Sequence, residues 1–169
     1  MLIEYKNLTT PEDLEILRAI AFQVWPATFA DILSPEQIAY MMQMMYAPEV
    51  LSAELSANMH FEIICIDGVP SGYIAYSSTQ TEGIAKLHKL YLHQDLHHLG
   101  IGQQMLNHVQ DQCRKMNFKK VRLNVNKNNH RAIKAYQRNG FITIHAECNP
   151  IGSGFFMDDY VMEKTLKNS

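Results

Sequence analysis

Hydrophobic positions along the chain alternate between strand and helix spacing. Ile3, Tyr5 and Leu8 open with a short strand. Leu14, Leu17, Ile20 or Ala21, and Val24 then recur at the period of an amphipathic helix. Thr10 before Pro11, with acids in the turn that follows, predicts the N-cap, so this helix should run from Thr10 through Trp25. Ser34-Pro35-Glu36 repeats that signal ahead of "QIAYMMQMMY", and Pro48 opens a third helix over "PEVLSAELSAN".

The pattern then changes. "HFEIICID" and "SGYIAYSST" are β-rich runs parted by "GVP", which predicts a hairpin, and "IAKLHKLYL" is a further strand. From Ile101 the apolar positions Met105, Val109, Cys113 and Met116 return to helical spacing, up to a turn near Asn117. "KKVRLNVN" reads as a strand, "NHRAIKAYQRN" as a short helix with Gly140 as its C-cap. "FITIHAEC" and "FFMDDYVMEKTL" close the chain as strands linked by the turn-rich "NPIGSG". Strand, helices, then β-β-β-α-β-α-β-β predicts one mixed α/β domain over residues 1–169, without linker or repeat. Its central sheet should hold about six to seven strands flanked by helices.

Composition narrows the function classes. The chain has 169 residues, 47% of them hydrophobic and 19% charged, enough for a sizeable core. A formal net charge of −2 argues against a nucleic-acid partner. No apolar run approaches the length of a bilayer span, and "MLIEYKNLTTPEDLE" carries acids where a signal peptide would be basic and then apolar. No membrane partner is expected. Cys65, Cys113 and Cys148 are far apart and unpatterned, as free buried thiols in a reducing compartment would be, which points to the cytoplasm.

Candidate chemistry starts at "LHHLGIGQQML", Leu96 to Leu106. A strand running into Gly100-Ile101-Gly102 and then a helix can aim consecutive backbone N–H groups at one anion, helped by the helix N-terminus. A plain tight turn is the bland alternative. A dinucleotide fold lacks its third glycine here, and no Gly-Lys-Ser/Thr follows to complete a P-loop. His93, Asp95, His97 and His98 cluster nearby, but their spacing matches no structural zinc pattern, so no metal is expected.

A second motif downstream gives the loop a context. "HHLGIG", a helix, "VRLNVN" and then "NHRAIKAYQRNGF" resemble the core of the GCN5-related N-acetyltransferase (GNAT) superfamily, with Asn129, Ala132, Tyr136, Gly140 and Phe141 in register. "WPATFADILSPEQIAYMMQMMY" and "GSGFFMDDYVMEK" resemble the bacterial branch related to the polyamine acetyltransferase PaiA. The resemblance implies a GNAT fold whose acetyl-CoA-binding core spans residues 84–141, with the helices at 10–57 on the acceptor side. It implies acetyl-CoA as co-substrate, its pantetheine arm pairing with the backbone of Leu90, Tyr91 and Leu92. The pyrophosphate is then expected on the loop formed by His97, His98, Leu99, Gly100, Ile101, Gly102 and Gln103. Asn129 is expected at the pantetheine, and Lys127, Arg131 or Lys134 at the nucleotide phosphate.

The implied reaction is direct transfer from the thioester to a primary amine in a ternary complex, with Tyr136 protonating the departing thiolate. Two positions depart from the family pattern. His97 stands where Gln or Arg is usual, and Lys86 stands where some members carry a glutamate base. His88, on the same strand face as Lys86, is the substitute base, with a water relay, Glu62, Asp158 or Asp159 as alternatives. Trp25, Tyr40, Asp158 and Asp159 are the candidate acceptor contacts. The expected function is therefore acetylation of a small-molecule amine, a polyamine among the candidates. Acetylation of protein N-termini or lysines and a non-catalytic acyl-CoA-binding module remain the alternatives, and a homodimer is left open.

Overall fold

The computed structural model describes residues 1–168. Its elements are β1 (Ile3–Leu8), α1 (Leu14–Phe29), α2 (Pro35–Tyr46), α3 (Pro48–Ser56), β2 (His60–Ile66), β3 (Val69–Ser78), β4 (Ile84–Leu92), α4 (Ile101–Lys115), β5 (Lys120–Asn126), α5 (His130–Arg138), β6 (Ile142–Gly152) and β7 (Phe155–Thr165). The strands form a seven-stranded mixed sheet ordered β1-β2-β3-β4-β5-β7-β6, so the α/β single-domain expectation holds. The β4–β5 pair is parallel, while β1–β2, β2–β3, β5–β7 and β6–β7 are antiparallel. No helix of the described residues is long and apolar enough to cross a membrane.

Contacts group the chain into two compact units, Met1–Ser77 with Lys89–Gly102, and Ser78–His88 with Gln103 onward. In the first, the apolar stripe of α1 is buried as the spacing predicts: Leu14, Leu17, Ile20, Ala21 and Val24 all lie in the core. The start of α1 differs from expectation. Thr10 Oγ1 accepts from the Asp13 N–H at 3.3 Å, while Asp13 Oδ2 accepts from the Thr9 and Thr10 N–H groups at 3.2 Å. That reciprocal pair closes a separate turn, and the α-helix begins only at Leu14. At its other end α1 continues past Trp25 and through Pro26 to Phe29. Pro26 removes one ladder donor, and the Thr28 hydroxyl donates nearby to the Val24 carbonyl at 2.8 Å. For α2 the prediction is met: Ser34 Oγ accepts from Gln37 N–H at 3.1 Å, with Pro35 in the first helical position.

The second unit holds the first half of β4 with β5, β6, β7, α5 and most of α4. Val121, Leu123 and Val125 alternate inward along β5, and Met105, Val109 and Cys113 turn inward from α4. Helix α5 closes as its glycine suggests. Gly140 takes φ +101°, Phe141 N–H reaches the Tyr136 carbonyl and Gly140 N–H the Gln137 carbonyl, each at 3.0 Å. Two turns are shorter than the sequence suggests. Only Asp67-Gly68 (φ +50° and +82°) separate β2 from β3, and only Ser153-Gly154 (φ +53° and +79°) separate β6 from β7. The sequence pattern places "GVP" and "NPIGSG" between strands, yet Val69, Pro70, Asn149 and Pro150 sit in strands. The cysteines also divide: all three are free, Cys65 and Cys113 are buried, but Cys148 is exposed on β6.

Candidate functional site

Strand β4 changes its hydrogen bonding part-way along. Its register with β5 runs from Ile84↔Lys120 to Leu87↔Leu123 and ends there, although β4 extends to Leu92 and β5 to Asn126. At its far end β4 is held against β3. His93 N–H donates to the Ser71 carbonyl at 3.0 Å, and a Cβ placed on Gly72 would meet the Tyr91 carbonyl oxygen at 2.5 Å. Only glycine permits that approach. Backbone groups of alternate residues point to opposite edges of a strand, so Tyr91 and His93 address β3 while Leu90 and Leu92 address the other edge. The expected backbone contact runs over Leu90, Tyr91 and Leu92, and by this alternation Leu90 and Leu92 share the edge opposite β3. The Tyr91 side chain packs against Tyr73 (centroids 5.4 Å apart) and Phe29 (6.4 Å).

The loop after β4 is fastened to the strand it leaves. His97 Nε2 lies 3.0 Å from the Leu92 carbonyl, and since a carbonyl only accepts, Nε2 carries the hydrogen. The residue that stands in place of Gln or Arg therefore pins the strand end. His98 and Gly100 take left-handed backbones, φ +67° and +78°. A Cβ on Gly100 or Gly102 would meet nothing within 4 Å, so the space beside both glycines is open. Ile101 is buried and anchors the helix start, while Leu99 is exposed. The first turn of α4 has N–H groups without intrahelical acceptors. Open space beside glycines at a helix N-terminus fits a phosphate-bearing ligand.

In the second unit, Asn129 caps α5: its amide oxygen accepts from Ala132 N–H at 3.3 Å, leaving the amide nitrogen out of the cap. Tyr136 is half-buried with its ring edge-on to Phe141, centroids 5.8 Å apart. Gln103 Nε2 donates to the Ala135 carbonyl at 2.9 Å, which ties the first turn of α4 to α5. Lys127, one of the expected phosphate contacts, is held by Asp158 at 2.6 Å, whereas Arg131 and Lys134 are exposed.

The acceptor candidates separate. Trp25 is only 2% exposed and its ring lies tilted against Phe29, centroids 4.3 Å apart, so it is a core residue rather than the lining of an open pocket. Tyr40 is half-buried on α2. Strand β7 lies between β5 and β6 rather than at a sheet edge, and its two aspartates point to opposite faces. Asp158 is exposed and paired with Lys127, whereas Asp159 is buried, with Asn124 Nδ2 at 3.5 Å. Burial raises the Asp159 carboxyl above its ordinary value, the Asn124 bond opposes this, and Glu147 and Asp158 reinforce it. Of the base candidates, His88 is exposed on β4 and Glu62 is buried in β2. Burial pushes the Cys113 thiol up to about 12, which removes it as a nucleophile. Among the described residues no group of three His, Cys, Asp or Glu is placed to hold a metal.

The model of the acetyltransferase (GNAT) family matches residues 17–141, which include the split strand, the glycine loop and all of α5. The chain belongs to the GNAT acetyltransferase family. This acetyltransferase is 29% identical over 163 residues to a spermidine N(1)-acetyltransferase of Thermoplasma acidophilum, covering 94% of this chain and 97% of the relative. Its fold superposes on the crystal structure of the PaiA N-acetyltransferase from Thermoplasma acidophilum in complex with coenzyme A. The TM-score there is 0.80 at 29% identity, over 98% of this chain and 99% of that one. The ribosomal-protein-S18-alanine N-acetyltransferase of Escherichia coli shares the fold at TM-score 0.73 and 16% identity, over 99% of this chain and 96% of that one.

Several residues of the acetyltransferase escaped the sequence reading. Lys89 is 8% exposed, with its Nζ 3.8 Å from Glu54 Oε2 and 5.4 Å from the Tyr46 ring centre. Burial lowers its ammonium below the ordinary lysine value, and Glu54 offsets part of that. The Tyr46 and Tyr73 hydroxyls are 2.7 Å apart in the same interior. A lysine in the alternating pattern of β4 carries no sign of its burial. Gly72, inside a strand, was a visible cue for close backbone approach.

Proposed function

We propose that the protein acetylates a primary amine of a small cationic molecule, a polyamine first among the candidates, using acetyl-CoA directly. The observation that carries this reading is the β4–β5 ladder ending at Leu87 while β4 continues to Leu92. Backbone groups left outside a ladder need partners, and an extended amide-bearing arm supplies them in β-strand fashion. Leu90 and Leu92 are the residues whose peptide groups face that edge, and Leu92 shares its carbonyl with His97. The loop from His97 to Gln103 receives the diphosphate through its backbone, and Asn129 offers its amide nitrogen to the pantetheine. The name of the Thermoplasma relative, a spermidine acetyltransferase, supports the acceptor class.

When bound, acetyl-CoA supplies the activated thioester. The chain's own residues hold the two reactants in attack geometry, which provides most of the acceleration in a reaction without a covalent enzyme intermediate. A backbone N–H of β4 stabilises the developing oxyanion. Tyr136 gives its proton to the leaving sulfur, and His88, exposed to solvent, takes the proton of the attacking amine. Asp158, the exposed carboxylate of the pair, attracts the acceptor's second ammonium in exchange for Lys127, while Asp159 is buried beside Asn124. Helices over residues 10–57 form the acceptor side.

The deciding experiment is calorimetric titration with acetyl-CoA, followed by an acetylation screen over spermidine, shorter diamines, monoamines and N-terminal peptides. Saturable acetyl-CoA binding with preferential turnover of polyamines is the expected result. Failure to bind acetyl-CoA overturns the reading. Turnover of peptides alone moves the acceptor to proteins, and binding without turnover of any acceptor favours a binding module.

A further inference from the structure

Asn139 ends α5, three residues beyond Tyr136, and its side chain uses its full hydrogen-bonding capacity. Nδ2 donates to Gln103 Oε1 at 2.9 Å and to Asn107 Oδ1 at 3.0 Å. Oδ1 accepts from Gln110 Nε2 at 2.6 Å and from Lys164 Nζ at 3.0 Å. Two donors and two acceptors are what a primary amide has, so the orientation of the group is settled by its neighbours: turned over, it would set donor against donor at Gln110 and Lys164. Lys164 Nζ also donates to the Asn139 carbonyl at 2.5 Å, satisfying an end carbonyl of α5.

The partners are not scattered. Gln103, Asn107 and Gln110 occupy one face of α4 at helical spacing, and Gln110 is 2% exposed. Gln103 reaches α5 twice, through the Asn139 amide and through the Ala135 carbonyl at 2.9 Å. It stands in the first turn of α4, the turn that continues from the glycine loop. A single side chain thus fixes the end of α5 to the beginning of α4 and to β7. Tyr136 lies within the last turn of α5, between the Ala135 and Asn139 attachment points.

We propose that Asn139 is a positioning residue for acetyl transfer, which sets where Tyr136 stands by locking α5 onto the first turn of α4. The inference rests on the acetyl-transfer reading above, with Tyr136 as the acid. Apolar packing alone would leave α5 free to slide or roll by a fraction of a turn, because no side chain of α5 is fully buried. A saturated amide node has one geometry, and a small misplacement of a proton donor is enough to slow a reaction.

A double-mutant cycle tests this. Tyr136→Phe is made in the wild type and in Asn139→Leu, and kcat for spermidine, or for whichever amine the screen finds, is measured beside the acetyl-CoA dissociation constant. In the wild type, Tyr136→Phe should lower kcat at least about tenfold; in Asn139→Leu it should cost less than about twofold, because the tyrosine is already out of place. Asn139→Leu alone should lower kcat to nearly the same level with only a small change in acetyl-CoA affinity. Since Asn139→Leu strands Gln110 and Lys164 and so threatens folding, Gln103→Leu serves as the second background, with the same loss of additivity expected. Cys113→Ala, buried in the same helix, is the control for stability: it should keep both kcat and the full cost of Tyr136→Phe. Equal costs of Tyr136→Phe in all backgrounds overturn the positioning role and leave the functional reading standing. A wild type that binds no acetyl-CoA overturns the functional reading itself, and a harmless Tyr136→Phe overturns the acid and this role with it.

Discussion

The two ends of β4 share one backbone and use it differently. From Ile84 to Leu87 the strand ladders to β5 and buries Ile84, Ala85 and Leu87. From Lys89 to Leu92 it lies against β3, so close that only a glycine fits at position 72, and its other edge carries peptide groups outside the β4–β5 ladder. The first end is committed to the fold. The second is held by β3, by the Lys89–Glu54 pair and by the bond from His97 to the Leu92 carbonyl. An edge proposed to pair with the acetyl-CoA arm needs as much support as a core strand, delivered from one side only.

Four variants separate the ends, the largest effect first. Leu87→Ala should cost about 3 kcal/mol in urea unfolding, since it empties a core position, while the folded protein keeps its acetyl-CoA affinity. A parallel loss of affinity would show that the two ends are not independent. Gly72→Ala should cost about 2 kcal/mol and weaken acetyl-CoA binding as well, because the new methyl group displaces the Tyr91 carbonyl. Unchanged binding in titration calorimetry would mean that β3 does not position this edge.

Gly102→Asp should leave the melting temperature nearly unaltered, because its Cβ enters open space. Its charge beside the diphosphate should weaken acetyl-CoA at least about tenfold, equivalent to about 1.4 kcal/mol. Retained affinity would remove the loop from the cofactor site.

The smallest effect lies on β5 and β7, the partners of the committed end. Arg122 bonds Glu163 at 2.7 and 3.0 Å, with Lys120 at 3.2 Å. Burial alone would raise the Glu163 carboxyl, but the Arg122 and Lys120 bonds outweigh it and hold the group below its ordinary value of 4.5. A lowered carboxyl stabilises the fold fully above that ordinary value, and the contribution fades as pH falls through the lowered one. Arg122→Ala should therefore destabilise by about 1 kcal/mol at neutral pH and by progressively less below pH 4.5. A difference that stays constant in acid melts would assign the loss to packing instead.

Much of the architecture was legible because it is local. Ser34 before Pro35, Gly140 after α5 and the alternation of β5 act within a few residues, and all three appear as read. The reading failed where a local cue was overruled. The spacing predicts α1 only through Trp25, but burial of Trp25 and Phe29 carries the helix across Pro26. Proline and glycine in "NPIGSG" suggested a loop, but pairing with β7 extends β6 to Gly152. For the candidate site, the loop and the α5 motif were visible as spacing. The roles of Asp158 and Asp159 were not, since adjacent identical residues differ only in which face of β7 they take.

The sequence by itself determined the order of elements, the glycine turn before α4 and the family motif, because periodicity, caps and left-handed glycines are properties of neighbours along the chain. Tertiary structure alone decided that Trp25 belongs to the core, that Lys89 is buried beside Glu54, and that Asn139 is answered by Gln103, Asn107, Gln110 and Lys164. A hydrogen bond between residues 36 apart in sequence depends on where two helices meet, and no local pattern encodes that meeting.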